Sequence, residues 1–304
     1  MRARVSIWTV WLTLAALSCG CSGAIKRTRN VPASARPVVK DATLQELLEA
    51  YNRIARGVQS LTATVELKPT AGSQYSGLIE EYHEVKAFLL AKRPADVRMI
   101  GQAPVIGKTV FDMASDGETF SVSVPSKQKF IVGPVRLEKQ SKKPIENLRP
   151  QHLLDAFLWP EIRKEEQVLF EEFNDEKGRY YVLTVVRGGY RTEIARKIWF
   201  DRTDLQVSRI ENFGPHGALL SDVYLSGWEP VAAAEPAAPS PASDAVPAFP
   251  RTVRIERPHD DYRLDLRVTK LALNEEIPAD RFKLEQPAGA ELVRVGEEAE
   301  DKKP

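Results

Sequence analysis

Two cysteines, Cys19 and Cys21, carry the most reactive side chains of this chain and lie near its start. A thiol can form a disulfide, bind a metal, attack an electrophile or accept an acyl chain. No cysteine follows Cys21. We therefore expect the chain beyond Cys21 to contain no internal disulfide, no thiol nucleophile and no cysteine metal site.

The residues before the cysteines indicate acylation. Two arginines are followed by an apolar stretch at residues 5–17, and a small residue precedes each cysteine, as in a secretory signal that ends at a lipidated cysteine. The stretch is shorter than the ~20 residues of a membrane span. We predict that residues 1–21 are a lipoprotein signal peptide with its lipidation site at Cys21, or alternatively at Cys19. A plain secretory signal with two incidental cysteines is the other interpretation.

The remaining polar residues give weak signals for catalysis. No two of the four histidines have metal-ligand spacing; they are His83, His152, His216 and His259. Residues 259–261 fit a metal or acid–base site, and equally a charged turn before a strand; Asp112 and Asp116 fit a carboxylate pair, although Asp116-Gly117 is typical of a hairpin turn. No serine elbow or phosphate-binding glycine loop is present. We expect no enzyme activity, no cofactor and no metal.

Composition excludes a nucleic-acid partner. The formal net charge of +1 becomes −1 when the signal, with its two arginines, is removed. Such a chain has no global field that attracts nucleic acid or an anionic surface. The hydrophobic fraction of 43% is that of an ordinary globular domain.

The mature chain begins with a basic tether and a helix. Residues 22–40 contain prolines and basic residues and predict a flexible tether. Thr43 and Glu46 form a capping-box pattern, and Gly57 lies where a left-handed residue can end the helix. Apolar residues at helical spacing predict one buried stripe: Leu44, Leu47, Leu48, Tyr51, Ile54, Ala55 and Val58.

From Leu61 the apolar period changes to two, which predicts strands with one buried face. Clear alternation occurs at 61–68, 119–124 and 262–269. Weaker strand patterns lie at 78–91, 96–100, 108–114, 128–132, 168–173, 180–187, 193–200, 205–212, 219–228 and 251–256. So many strands in one chain predict a mainly β fold with a large curved antiparallel sheet or an open barrel.

One short helix and one long loop interrupt the strands. Pro150 suits the first turn of a helix that ends at Trp159-Pro160. Residues 231–250 are rich in Ala and Pro and predict a disordered loop inside one domain spanning 41–295, followed by a charged tail at 296–304.

Three motifs resemble those of the LolA/LolB superfamily of periplasmic lipoprotein-localisation factors. Lys92-Arg93-Pro94 looks like the strand end of the soluble carrier, and residues 115–120 look like its next hairpin. Residues 281–287 resemble its closing Phe-x-x-x-x-Pro segment. The three matches lie in the same order as in that superfamily and bracket most of the mature chain. The loop at 231–250 and the greater length depart from the pattern.

The resemblance implies the fold class: mainly β with α, a large curved antiparallel sheet that forms an unclosed half β-barrel covered by two or more short helices. It also implies an apolar cavity for lipid or lipoprotein acyl chains, with the helices acting as a lid. By analogy, Arg93 hydrogen-bonds to the lid and controls it, and Val105 and Ile106 form a membrane-facing loop. The residues expected at the cavity and lid are Leu47, Tyr51, Ile54, Leu61, Val65, Phe120, Val122, Leu153, Phe157, Leu158, Leu264 and Leu266. With Cys21, the acceptor-like form is favoured: a monomer, lipid-anchored at the periplasmic face of the outer membrane, with a periplasmic carrier as a further partner.

Two functions therefore stay open at the level of sequence. One is a binding protein that sorts lipoproteins or transfers lipid. The other is a structural or interaction lipoprotein with a packed core and no ligand. An apolar sheet face fits both, because it can line a cavity or fill a core.

Overall fold

The computed structural model describes residues 32, 37–104, 107–136, 147–176, 178–188, 192–231 and 247–295. Within these ranges fifteen strands belong to one sheet. Their bounds are β1 (Ser60–Ser73), β2 (Leu78–Glu81), β3 (Val85–Lys92), β4 (Asp96–Gln102), β5 (Thr109–Ser115), β6 (Thr119–Val124), β7 (Lys129–Pro134), β8 (Gln167–Asn174), β9 (Arg179–Arg187), β10 (Glu193–Asp201), β11 (Val207–Phe213), β12 (Leu219–Pro230), β13 (Ala248–Arg257), β14 (Tyr262–Leu273) and β15 (Glu291–Arg294).

The sheet is two meanders joined by the pairing of β1 with β14. Its order is β15-β7-β6-β5-β4-β3-β1-β14-β13-β12-β11-β10-β9-β8, and β2 pairs with β1 outside this path. The two ends of the order do not meet, so the sheet is an open half-barrel and the predicted fold class is confirmed. One detail was wrong: β15 pairs with β7 in parallel, whereas the other pairs are antiparallel.

Alternation along the strands separates an inner from an outer face. The inner face carries Leu61, Val65 and Leu67 of β1 beside Leu264 and Leu266 of β14, and all five side chains are buried in one apolar cluster. The intervening residues of β1, such as Thr64 and Glu66, are only half-buried. Successive side chains of a strand point to opposite faces, so the predicted period of two sets which residues form the core.

Helix α1 (Leu44–Gly57) lies against the inner face. Thr43 is its N-cap, and the side chains of Thr43 and Glu46 accept hydrogen bonds from each other's backbone N–H, as predicted from the capping box. The predicted left-handed stop at Gly57 was wrong. The helix ends instead at Val58 in extended backbone, and the Val58 N–H donates to the carbonyl of Ile54.

The second helical segment is short. A 3₁₀ turn at Pro150–Leu153 leads into helix α2 (Leu154–Phe157), close to the predicted position. None of the helices in the described part of the chain combines the length and hydropathy that crossing a bilayer requires.

Several predicted segments fall outside the described residues. These are the signal with Cys19 and Cys21, most of the tether, the loop tip Val105 and Ile106, residues 232–246 and the tail 296–304. The predicted loop 231–250 was too long at its carboxyl end, because β13 begins at Ala248 and pairs there with Pro230. Phe249 in that segment is fully buried. Its apolar contacts in the core favour an ordered strand there, although the surrounding Ala/Pro-rich composition predicts disorder.

Candidate functional site

The side chain of Arg93 joins the helices to the sheet. It lies in the turn between β3 and β4, and its guanidinium donates to three backbone carbonyls. Nε lies 3.0 Å from the oxygen of Val58, and Nη2 lies 2.7 Å from the oxygens of both Ala55 and Trp159. One side chain therefore holds the end of α1 and the segment that follows α2.

The chemistry of these contacts suits an arginine. The last carbonyls of a helix have no partner inside the helix and carry the negative end of its dipole. The planar guanidinium has five donors in fixed directions, so it can reach Ala55, Val58 and Trp159 at once. Burial lowers the pKa of Arg93, while Tyr51 and Glu161 act in the opposite direction.

Helix α1 is also tied to the chain that follows α2. The Tyr51 hydroxyl donates to the carbonyl of Pro160 at 3.0 Å. The Asn52 amide donates to the carbonyl of Ile162 at 2.8 Å and accepts from its N–H at 2.9 Å. Arg56 pairs with Glu161 at 2.7 Å on the surface. We define the lid as α1 together with residues 150–162, because these contacts make the two segments one unit.

A second polar attachment holds the other end of the lid. Nδ1 of His152 is hydrogen-bonded to the hydroxyl of Tyr262 at the start of β14. The Asp155 carboxylate accepts from Ser221 of β12 at 3.0 Å and lies 3.4 Å from Nη1 of Arg257 of β13. The lid is thus fixed to the sheet by polar groups at both ends.

The pKa values in this attachment are shifted by burial. Burial lowers the pKa of His152 well below its ordinary value, and the positive charges of Arg257 and Arg149 act in the same direction. Burial raises the pKa of Asp155, against the effects of Arg257 and Ser221. Burial also raises the pKa of Tyr262. At neutral pH His152 is therefore uncharged, and its Nδ1 can accept a hydrogen bond from the Tyr262 hydroxyl.

The side chains expected to line a cavity belong to one apolar cluster, except Phe120, which is buried outside it. Phe157 of α2 stacks on Phe249 of β13 with ring centroids 6.4 Å apart. Val122 is half-buried and packs against the same cluster. The other eleven are buried: Leu47, Tyr51, Ile54, Leu61, Val65, Phe120, Leu153, Phe157, Leu158, Leu264 and Leu266. In this conformation the lid side chains occupy the inner face.

A separate surface pocket of about 350 Å³ lies at the turn between β10 and β11. Polar and apolar residues line it together, among them Asp204, Ser208 and Trp228, and Arg93 is not part of its lining. The candidate catalytic residues do not gather there. Asp112 is held by two hydrogen bonds from Arg98, and Asp116 accepts from the N–H groups of Glu118 and Thr119 in a tight turn.

Residues 259–261, which the sequence offered as a metal or acid–base site, lie in a turn between two strands. Residues 258–261 connect β13 to β14, and the Asp260 carboxylate accepts from Nε of Arg257 at 2.8 Å. Across the described residues, His, Cys, Asp and Glu side chains do not form a group of three or more suited to a metal ion.

Three residues of the site were missed from the sequence. Asn274 accepts from the N–H of Gln59 at 2.8 Å and donates to the carbonyl of Gly57 at 2.7 Å, and so holds the end of α1 to the end of β14. Asn52 joins the two parts of the lid, and the carbonyl of Trp159 accepts from Arg93. Their partners lie more than sixty residues away along the chain, and no local pattern encodes such pairings.

Comparison with known proteins finds similarity only among solved structures. No family model and no curated protein matches the chain. A LolA superfamily protein from Nitrosomonas europaea has 13% identity over 80% of this chain and 99% of its own, with a TM-score of 0.45. A DUF1329 family protein from Desulfovibrio piger gives the same identity, coverage of 80% and 98%, and the same TM-score.

A third structure is a domain from Vibrio parahaemolyticus assigned to outer membrane lipoprotein sorting. It has 11% identity over 79% of this chain and 97% of its own, with a TM-score of 0.44. The superfamily that the sequence motifs resemble is the one to which the first of these structures belongs. At scores of this size the likeness adds nothing about function, which has to be argued from the lid and the sheet.

Proposed function

We propose that this chain is a lipoprotein of the cell envelope that binds acyl chains of lipid or lipoprotein on the inner face of its sheet. In this proposal Cys21 anchors it at the periplasmic face of the outer membrane, and the described conformation is the closed state. The lid lifts and an acyl chain takes its place. The observation that carries the proposal is the set of Arg93 hydrogen bonds to Ala55, Val58 and Trp159.

The energies make such an exchange feasible. A hydrogen bond from a charged donor contributes about 1.5–3 kcal/mol, so the three Arg93 contacts together are worth several kcal/mol. Burial of an acyl chain gains about 0.8 kcal/mol per methylene, or on the order of 10 kcal/mol for a long chain. The apolar side chains of the lid keep the inner face away from water. An acyl chain that displaced the lid would keep the same face buried.

A structural or interaction lipoprotein is the second candidate. The tight burial of the predicted lining residues supports it, since a permanently filled interior leaves no room for a ligand. Both candidates predict the same closed conformation. They differ in whether an acyl chain can reach the inner face.

Tryptophan quenching by brominated fatty acids separates the two candidates. Bromine atoms quench an indole only on contact. Trp159 is a fully buried side chain of the lid, whereas Trp199 lies on the outer face of β10. Two single-tryptophan forms of the mature chain, each with Cys21→Ser, provide the probe. One keeps Trp159 through Trp199→Phe and Trp228→Phe, and the matched control keeps Trp199 through Trp159→Phe and Trp228→Phe.

If the chain binds acyl chains, the fluorescence of Trp159 should be quenched saturably at fatty acid concentrations that do not quench Trp199. Equal quenching of both forms would indicate surface adsorption. Trp159 fluorescence that stays unchanged up to the solubility limit of the fatty acid would favour the packed structural protein.

A further inference from the structure

Strand β8 ends the sheet order within the described residues. It spans eight residues, Gln167–Asn174, and pairs with β9 along one side. In an antiparallel ladder alternate residues direct N–H and C=O groups to each side, so about half of the residues of β8 direct theirs to the free edge. Such an edge can pair with another extended chain.

The side chains of β8 protect this edge only through the negative charges of Glu171 and Glu172. Proteins commonly guard an edge strand with lysine, proline or a bulge. Strand β8 contains no lysine or proline, and it pairs with β9 without a register shift. Leu169 is 62% exposed, and Phe170 and Phe173 are each 41% exposed. The edge therefore combines free main-chain groups with exposed apolar surface.

Aromatic residues support β8 on both faces of the sheet. Phe170 contacts the ring of Tyr181 with centroids 5.3 Å apart, and Phe173 contacts Trp199 with centroids 5.1 Å apart. Phe170 and Phe173 are three positions apart, so they lie on opposite faces of the strand. An extended chain added beside β8 would find an aromatic shelf above and below the sheet.

The charge around β8 identifies the kind of chain that fits. Residues 165–176 contain six carboxylates and no lysine or arginine. Glu172 pairs with Arg202, and Glu166 lies 3.6 Å from Arg196. Glu165, Glu171 and Glu176 are exposed. A second copy of β8 would bring like charges together, whereas a basic segment would be attracted.

We propose that the β8 edge is a docking site for an extended segment of a partner protein in which basic and apolar residues alternate. The segment adds a strand to the sheet through main-chain hydrogen bonds. Its apolar side chains lie beside Phe170 on one face of the sheet, and its basic side chains meet Glu171 on the other face. This surface is formed by other strands than those that hold Arg93, so the proposal does not depend on acyl-chain binding.

A decapeptide of alternating lysine and valine is the probe for the full mature chain carrying Cys21→Ser. Two matched peptides accompany it: the same sequence N-methylated at alternate amides, which removes edge hydrogen bonds but keeps the charge, and an alternating glutamate and valine peptide. Fluorescence anisotropy measures the affinity, and hydrogen exchange locates the bound peptide. We expect the basic peptide to bind at least about tenfold more tightly than either control and to slow exchange in β8.

Charge reversal at the edge supplies the second test. Glu171→Lys with Glu176→Lys should weaken binding of the basic peptide by at least about tenfold. The control pair, Glu285→Lys with Glu291→Lys, reverses two exposed charges near β15 at the other end of the sheet and should leave the affinity unchanged.

Three outcomes would overturn the proposal. One is binding of the N-methylated peptide as tightly as the unmodified one, which would mean attraction by charge alone. Another is an equal effect of the two charge-reversal pairs. The third is sedimentation of the chain as a dimer that Leu169→Lys dissociates, which would make a second copy the occupant of the edge.

Discussion

The indole ring of Trp159 stacks on the phenol ring of Tyr51, with centroids 5.5 Å apart and 15° between the planes. Both side chains are fully buried. Tyr51 lies on α1 and Trp159 follows α2, so this stack is the apolar counterpart of the Tyr51 hydrogen bond to Pro160. Burial raises the pKa of Tyr51 to about 12, so its hydroxyl stays a donor at physiological pH. The two halves of the lid are therefore packed together as one unit.

The first prediction concerns Phe157, a lid side chain that is 1% exposed. Phe157→Ala leaves a cavity against Phe249, and it should lower the free energy of unfolding by about 3–5 kcal/mol. Urea denaturation measures the loss. Phe170→Ala is the matched control on the exposed edge, and it should cost much less. A loss below about 1 kcal/mol for Phe157→Ala would mean that the lid is not packed in solution.

The second prediction concerns Arg93. Arg93→Leu leaves the carbonyls of Ala55, Val58 and Trp159 without their donor. Hydrogen exchange in α1 should become faster, and acyl-chain transfer between vesicles should change in rate by about one to two powers of ten. Arg93→Lys should restore the rate only in part, because a point charge cannot reproduce the guanidinium fork.

Arg98→Leu is the matched control for Arg93. Arg98 lies on the neighbouring strand β4 and bonds to Asp112 and to the carbonyls of Arg281 and Lys283, away from the lid. Its loss should destabilise the chain without changing exchange in α1. Equal effects of the two substitutions on α1 and on transfer would show that Arg93 has no special part in holding the lid.

The third prediction concerns pH. Burial places the pKa of His152 in the folded chain well below its ordinary value of 6.5. The unfolded chain then binds more protons than the folded chain below about pH 6.5, so stability is fully present above that pH and falls as the pH drops towards the folded pKa. Between about pH 7.5 and about pH 5.5 the loss from His152 should be at most about 1.4 kcal/mol, the limit for a group that stays uncharged in the folded chain.

Urea denaturation at both pH values tests this contribution. His152→Asn keeps an acceptor for the Tyr262 hydroxyl but does not titrate, so its loss of stability on acidification should be smaller than that of the wild type. His83→Asn alters an exposed histidine and should preserve the wild-type pH dependence. Because the pKa of Asp155 is raised, its contribution to stability grows as the pH falls, opposite to that of His152. Asp155 is present in the wild type and in both variants. An unchanged pH dependence in His152→Asn would contradict the assignment.

The fourth prediction concerns the anchor. Cys21→Ser should abolish incorporation of labelled palmitate and release the protein from membranes. Cys19→Ser is the matched control and should leave both unchanged. Labelling that survives Cys21→Ser but not Cys19→Ser would move the anchor to Cys19. Labelling that survives the double substitution, or is absent from the wild type, would remove the lipoprotein assignment.

The fold class and the residues of the core were predictable because both depend on local periodicity. The period of 3.6 at residues 44–58 and the period of two from Leu61 each specify one apolar face, and burial of that face against another follows from the hydrophobic effect. The capping box at Thr43 and Glu46 is local for the same reason. The sequence by itself thus determined which face of α1 and of the clearly alternating strands is buried and that the strands form a large sheet. The open half-barrel with helices across it was implied by the motif resemblance.

The pairings between distant segments required the tertiary structure. The β15–β7 pairing, the Asn274 contact with the end of α1 and the burial of Phe249 join residues far apart in the chain, and their energies depend on geometry that no short window contains. Arg93 shows the difference between what the sequence predicts and what the tertiary structure adds. A motif resemblance assigned it a role, but only the folded chain places Ala55, Val58 and Trp159 around one guanidinium. Periodicity determines which face of a helix or strand is apolar. Packing and the directions of hydrogen bonds determine which residues contact one another across that face.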